Sequence, residues 1–276
     1  METRRMCPHC RAFITTSDRV CPYCNEPVAP KRTERPQGAI LGGLIPHAGY
    51  LTVIILLINT GMYVATVLYS NSSGGGGNVL TADGRTVLIF GAKRADLIAL
   101  GQWWRLIMAG YLHLGIIHIL MNMWVLFDLG AQVEQIYGGA RMLVIYFVAN
   151  VLGFYASAVF YPNVISAGAS AALFGLVGAM VAIGIRYRGS PAGDMIRSVY
   201  MRYLVYLILF SFIPGVDLAA HIGGLIGGFG IGYIADRPQH PGSWIERVWH
   251  IAAGGAIAIT GYGFLKWYLW FKTFSQ

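Results

Sequence analysis

Ala167-Gly168-Ala169-Ser170-Ala171-Ala172-Leu173-Phe174-Gly175 opens an uncharged run that continues to Ile185 and stops at Arg186. A helix over 169–186 comes close to the ~30 Å thickness of a bilayer's hydrocarbon core. Ala171, Gly175, Gly178, Ala179 and Ala182 give it low relief, which lets another helix backbone approach closely. At its start, among residues too small to shield it, stands a hydroxyl, Ser170.

The rest of the chain has the same character. Of 276 residues, 56% are hydrophobic and only 12% charged, about half the ~25% charge of a soluble domain. This excludes a collagenous, disordered or disulfide-dense protein. Further apolar segments occupy 46–69, 114–136, 142–161, 199–214, 218–235 and 248–271, so the reading is all-α, a polytopic membrane helical bundle of seven spans. The fifth is the weakest, since Met201-Arg202-Tyr203 lies inside it; six spans are the alternative. No secretory signal peptide precedes them, and the first apolar stretch, from about Leu44, reads as a signal anchor. The net charge of +8 would suit nucleic acid, but its distribution explains it otherwise. With the amino terminus cytoplasmic, fourteen of the twenty Lys and Arg fall on the cytoplasmic side, as the positive-inside bias requires. The carboxyl terminus then lies outside if there are seven spans. The expected partner is the lipid bilayer, and no nucleic acid is needed.

All four cysteines lie near the amino terminus, as Cys7-Pro8-His9-Cys10 and Cys21-Pro22-Tyr23-Cys24. Two C-x2-C pairs make a tetrahedral thiolate site that suits zinc, and a reducing cytoplasm argues against the alternative of two disulfides. The pattern resembles a zinc ribbon. A closed four-cysteine shell offers no open coordination position, so the zinc is structural, with His9 a solvent-exposed bystander. The partner of this module is unknown from sequence. The loop of about 70–113 carries the flexible glycines Gly74 to Gly77, a possible hairpin around Asp83-Gly84, and Trp103-Trp104-Arg105, suited to the membrane interface.

Polar side chains inside spans are costly and therefore functional suspects. His118 and Asn122 share one face of the second span. Ser170 begins the fourth and His221 lies near the start of the sixth. All four enter from the outer side at one depth. Glycines 223, 224, 227, 228 and 232 give the sixth span a face able to meet the fourth. An imidazole that accepts the serine proton makes the hydroxyl a nucleophile and then protonates the leaving amine. No carboxylate is placed as a third member, since Asp217 reads as a helix cap, so a Ser170-His221 dyad is expected. The amides at the helix start, with His118 and Asn122, are the expected oxyanion donors. Ser166 has no histidine indicated opposite it. His113, just before the second span, reads as an interfacial ring, with a part in the polar network as the alternative; His47, His240 and His250 read as residues near membrane ends, and Asp128, inside the second span, has no assigned role.

These residues resemble the rhomboid family of intramembrane serine proteases. Gly101-Gln102-Trp103-Trp104-Arg105, His118-x-x-x-Asn122, Gly130-x-x-x-Glu134, Gly168-Ala169-Ser170 and Ala220-His221-x-Gly223-Gly224 follow in the family's order over roughly residues 90 to 235. The resemblance implies a six-helix core with a short fourth helix and one extra carboxyl-terminal helix. It also implies Ser170 as nucleophile, His221 as base, and His118 with Asn122 as oxyanion stabilisers. Arg105 and Glu134 are read as structural supports. Transmembrane proteins would be cleaved in or near their membrane segment, with no cofactor for catalysis. Phe174 falls where many members stack an aromatic on the histidine. Ala171 departs from the glycine common after the serine; its methyl would crowd the oxyanion site or forbid a left-handed backbone. The rival is a catalytically inactive rhomboid-like protein that binds transmembrane helices. The expected division is a zinc ribbon at 1–30, a basic linker at 31–45, the membrane core at 46–235 and the extra helix region at 236–276.

Overall fold

The computed structural model describes residues 4–7, 9–15, 18–28, 49–72, 78, 80–240 and 242–274. It divides into two units, Met1–Pro46 and His47–Gln276. The linker expected at 31–45, His47 and the glycines 74–77 lie outside the described residues.

In the first unit, β1 (Arg4–Met6) pairs antiparallel with β2 (Phe13–Thr15), Met6 opposite Phe13. The chain then makes two turns of the same design. Arg11 N–H donates to the Cys7 carbonyl at 2.9 Å, and Asn25 N–H to the Cys21 carbonyl at 2.9 Å. Arg11 and Asn25, each four residues after a cysteine, take the left-handed conformation, φ 61° and 58°. Cys7, Ile14, Cys21 and Val28 form the small core.

The second unit is helical. The chain runs through α1 (Tyr50–Ser72), the short loop helices α2 (Gly84–Ile89), α3 (Ala95–Ala99) and α4 (Arg105–Met108), and α5 (Ile116–Val125), which passes through a π turn into α6 (Ala131–Tyr137). After these come α7 (Gly139–Phe160), α8 (Ser170–Arg186), α9 (Pro191–Phe210), α10 (Leu218–Ala235) and α11 (Trp244–Phe274). Among the described residues five helices are long and apolar enough to cross a membrane: α1, the continuous Ile116–Tyr137 segment, α7, α10 and α11. α8, of 17 residues, is the short apolar one. This is a multi-pass membrane protein. The fifth segment begins earlier than its hydropathy suggested, because Ser190 caps the amide of Gly193 and Pro191 starts α9 eight residues ahead of the apolar stretch, taking Asp194 and Arg197 into the helix.

The α8–α10 seam centres the bundle. A Cβ added to Gly224 would stand 2.0 Å from the Ala171 carbonyl oxygen, and one on Gly228 2.0 Å from that of Gly175. Only hydrogen fits at these two crossings, so the helices meet backbone to backbone. Elsewhere polar contacts fasten the ends. Both oxygens of Glu134 accept from the start of α1, the Leu51 and Thr52 amides and the Thr52 hydroxyl, at 2.9–3.1 Å. Arg141 makes a buried bidentate pair with Glu246 at 2.8 and 2.7 Å, tying α7 to α11.

The loop between α1 and α5 differs from two expectations. Asp83-Gly84 is no hairpin: Asp83 caps α2, accepting the amides of Arg85 and Thr86 and the hydroxyls of Thr86 and Ser70. Burial alone would raise its carboxyl; those bonds to the charged form outweigh it and lower it to about 2. Arg105 is not an exposed, snorkelling cation either. It is fully buried, its Nη1 donating to the carbonyls of Leu88 and Ala92 and its Nε to Gln102, with its plane between Trp104 and Trp270. Trp104 is buried with it, while Trp103 is exposed beside Tyr262.

Candidate active site

Ser170 is the first residue of α8, and the cap before it, Ala169, provides no side-chain acceptor for the helix's first amides. Those amides are unpaired by the geometry of a helix start, and they carry its positive dipole end. The segment leading to Ser170 is held from two sides. Lys93 and Ser166 exchange backbone hydrogen bonds at 2.9 and 3.1 Å, and the buried Lys93 ammonium donates to the carbonyls of Tyr161 and Val164. Gly168 N–H donates to the Ala109 carbonyl at 2.9 Å. Gly168 itself has φ +145°, and a Cβ there would lie 2.8 Å from His118 Nε2, so glycine is what admits the His118 ring against this strand.

Across the seam, His221 sits one turn into α10. Its Nε2 is 2.9 Å from Ser170 Oγ. Phe174, one turn beyond Ser170, stacks on the imidazole with centroids 4.1 Å apart and 15° between planes. The ring's other nitrogen, Nδ1, is 2.6 Å from the hydroxyl of Ser211, the residue that ends α9. Asp217 caps α10, accepting from the Ala220 amide at 2.9 Å, and its second oxygen pairs with the Ser157 hydroxyl. Neither oxygen bonds to the imidazole.

Ser170, His221, His118 and Asn122 all line one cavity of about 670 Å³. Its wall is otherwise mostly apolar, from Ile117, Met121 and Val125 of α5 to Tyr206 and Phe210 of α9. Asn122 Nδ2 donates to the His118 carbonyl at 2.9 Å, which uses one of its two hydrogens. Ser166 also faces the cavity, but among the described residues no hydrogen bond joins its hydroxyl to a histidine. His113 joins the polar network: it is buried edge-to-face against His118, centroids 5.0 Å apart, and its Nε2 accepts the Ala169 amide at 3.5 Å. Ala171 neither lines the cavity nor takes a left-handed backbone. It lies within α8, and its methyl is buried with Ala109, Phe154 and Ala220. His240 and His250 are exposed, and Asp128 lies on the exposed side of the π turn.

A rhomboid-domain profile matches residues 100–238, about half of the chain, and includes His118, Asn122, Ser170 and His221. It belongs to the rhomboid family. Rhomboid protease GluP of Bacillus subtilis is 42% identical over 148 residues, 52% of this chain and 28% of that protein. Rhomboid-like protease 2 of Toxoplasma gondii is 33% identical over 199 residues, 71% of this chain and 69% of its own length. Rhomboid-like protease 1 of the same organism is 29% identical over 223 residues, 77% of this chain and 72% of that protein. The rhomboid described here thus spans little more than a quarter of the first relative's length.

Sequence reasoning missed Ser211, which stands in Phe210-Ser211-Phe212 within the fifth apolar segment. A polar side chain at the end of an apolar helix, ten residues before a suspected base, was the available signal. It also passed over Lys93, whose burial nothing in its neighbours announces.

In the first unit the four cysteine sulfurs lie within 4.8 Å of one another, a set able to hold a metal ion. Cys7 and Cys24 are 3.8 Å apart and Cys10 and Cys21 3.6 Å, and all four are free of disulfides. The Cys10 amide, pointing at the Cys7 sulfur, draws that thiol down to about 6 against the opposing effect of burial. His9 is exposed.

Proposed function

We propose that this rhomboid is an intramembrane serine endopeptidase that cleaves transmembrane proteins in or near their membrane segment. The observation that carries the reading is the 2.9 Å contact between Ser170 Oγ and His221 Nε2 at the wall of a cavity. In the proposed reaction Oγ attacks the scissile carbonyl as its proton passes to Nε2. The tetrahedral oxyanion is held by the free amides of the α8 start, the His118 ring and the second N–H of Asn122. Collapse breaks the C–N bond, the imidazolium gives its proton to the amine, and an ester to Ser170 remains. Water, deprotonated by the same nitrogen, then releases the acid. No cofactor takes part. The apolar wall from α5 and α9 suits a substrate's membrane segment, and the likeness to Rhomboid protease GluP and Rhomboid-like protease 2 supports the same class.

The rhomboid is placed with its amino terminus cytoplasmic and, over seven helices, its carboxyl terminus on the opposite face, the arrangement the arginine distribution favours. The thiolate cluster fits zinc: four sulfurs in a tetrahedron about 2.3 Å from zinc lie about 3.8 Å apart, close to the observed separations. Cys7, Cys10, Cys21 and Cys24 would hold it as a structural ion.

The test is labelling of purified protein in detergent with a fluorophosphonate. Ser170→Ala is expected to abolish both labelling and cleavage of a transmembrane substrate. Wild-type protein that stays unlabelled while folded would instead favour the inactive, helix-binding reading.

A further inference from the structure

We infer that Ser211 is a positioning residue for the base, holding His221 in the tautomer whose bare Nε2 faces Ser170. The inference rests on the dyad reading above and extends it with a third side chain from a third helix.

The direction of the hydrogen bonds settles the tautomer. A serine hydroxyl has one hydrogen and two lone pairs. Ser211 Oγ lies 2.8 Å from the Leu207 carbonyl oxygen, which can only accept, so the hydroxyl hydrogen points there. Towards His221 Nδ1, 2.6 Å away, Ser211 Oγ is then left to accept, and Nδ1 must carry the hydrogen. A neutral imidazole has one N–H. Nε2 is therefore the free lone pair, and it is the nitrogen 2.9 Å from Ser170 Oγ. With the opposite tautomer, Ser211 could keep a hydrogen bond to Nδ1 only by turning its hydrogen away from Leu207, which sets two oxygen lone pairs against each other at 2.8 Å in a site where Ser211 and His221 are both buried.

Among the described residues no other side chain is hydrogen-bonded to Nδ1. Both carboxylate oxygens of Asp217 are engaged, by the Ala220 amide and the Ser157 hydroxyl. Phe174 covers one face of the ring and prevents it from tilting, but a stack leaves rotation in the ring plane free. Ser211 supplies the in-plane constraint. It also has an electrostatic role. Leu207 lies in the last turn of α9, at the negative end of the helix dipole, and its carbonyl accepts both the amide and the hydroxyl of Ser211. When Nε2 takes the proton of Ser170, the Nδ1–H bond becomes charge-assisted, and Ser211 carries the polarity of that helix end to the imidazolium. A hydroxyl is a weaker acceptor than a carboxylate. Removing it should cost less than the ~10⁴-fold loss that follows misorientation of the histidine in a carboxylate triad.

The experiment uses the full-length protein in detergent with a fluorophosphonate as probe, read as the maximal inactivation rate and the half-saturating probe concentration. Ser211→Ala is expected to lower the maximal rate roughly 10- to 100-fold while the half-saturating concentration stays within about 2-fold, the pattern of a reaction-step defect. Ser211→Thr, which keeps the hydroxyl, should recover to within about 3-fold of wild type, whereas Ser211→Val, of the same volume, should not. Nitrogen-15 spectra of histidine-labelled protein give the readout that packing alone would not move. The resonance lost in His221→Gln should show Nδ1 protonated and Nε2 bare in the wild type, and a mixture of tautomers in Ser211→Ala. Inactivation of Ser211→Ala at the wild-type rate, or an Nε2-protonated ring in the wild type, overturns the inference. The wild-type spectrum decides even if the alanine variant does not fold. Labelling that persists in Ser170→Ala would instead sink the dyad, and with it the role given to Ser211. Labelling that needs Ser170 but ignores Ser211 would leave the dyad standing alone.

Discussion

Asn122 already gives one amide hydrogen to the His118 carbonyl, a bond that pins the side chain along α5 and leaves the other N–H for the cavity. A donor fixed before substrate arrives needs no reorganisation when negative charge develops on the carbonyl oxygen. Asn122→Ala is therefore expected to lower kcat for a transmembrane substrate by about 10²–10³-fold with little change in KM, measured by steady-state cleavage in detergent. Equal losses in binding would assign Asn122 to ground-state recognition instead. Ala171 illustrates the converse. From sequence its methyl should crowd the oxyanion, yet the chain is already right-handed helix at that position and the methyl turns into a pocket of Ala109, Phe154 and Ala220. The start of the helix at Ser170 was legible in the sequence, but the direction of the next residue's side chain depends on which elements pack against that first turn, and no local pattern announces it.

At the scale of elements, α8 and α10 determine whether the serine and the histidine meet. Gly228 of α10 faces the Gly175 carbonyl so closely that any Cβ must push backbone aside, whereas Gly254 of α11 has nothing within 4 Å. Gly228→Ala is expected to lower stability by about 2 kcal/mol and to slow labelling of Ser170, while Gly254→Ala stays within about 0.5 kcal/mol of wild type, compared by thermal unfolding in one detergent. The contrast also shows what was legible beforehand. Hydropathy marks the long spans because lipid imposes it on every residue of a crossing, and the small-residue spacing marked the faces of α8 and α10. It failed at the start of α9, where Ser190-Pro191 begins the helix eight residues early and takes in Asp194 and Arg197. It failed again at Asp83, where an Asp-Gly pair serves a helix cap as readily as a hairpin. The polar residues of the cavity were legible because burial of such groups in apolar helices is costly. Ser211 was not, because a single serine near a helix end is common and acquires its meaning only from the tertiary approach of His221.

Over the whole molecule, the thiolate cluster and the cavity belong to different units and their chemistries are separable. A four-sulfur shell offers a metal no open position, so the ion can shape the amino-terminal module without touching the reacting atoms. One zinc per chain is expected by metal analysis of freshly reduced protein. Its removal by a thiol-reactive mercurial and chelator is expected to leave the rate of Ser170 labelling unchanged; a fall in that rate with the metal would show that the two units communicate. The seam between α8 and α10 has a longer reach. Every heritable change at a glycine codon that alters the residue makes it larger, and at Gly224 and Gly228 the opposing surface is main chain, which has nothing to withdraw. Compensation from the facing helix is therefore closed, and drift in this protein must go around these two positions.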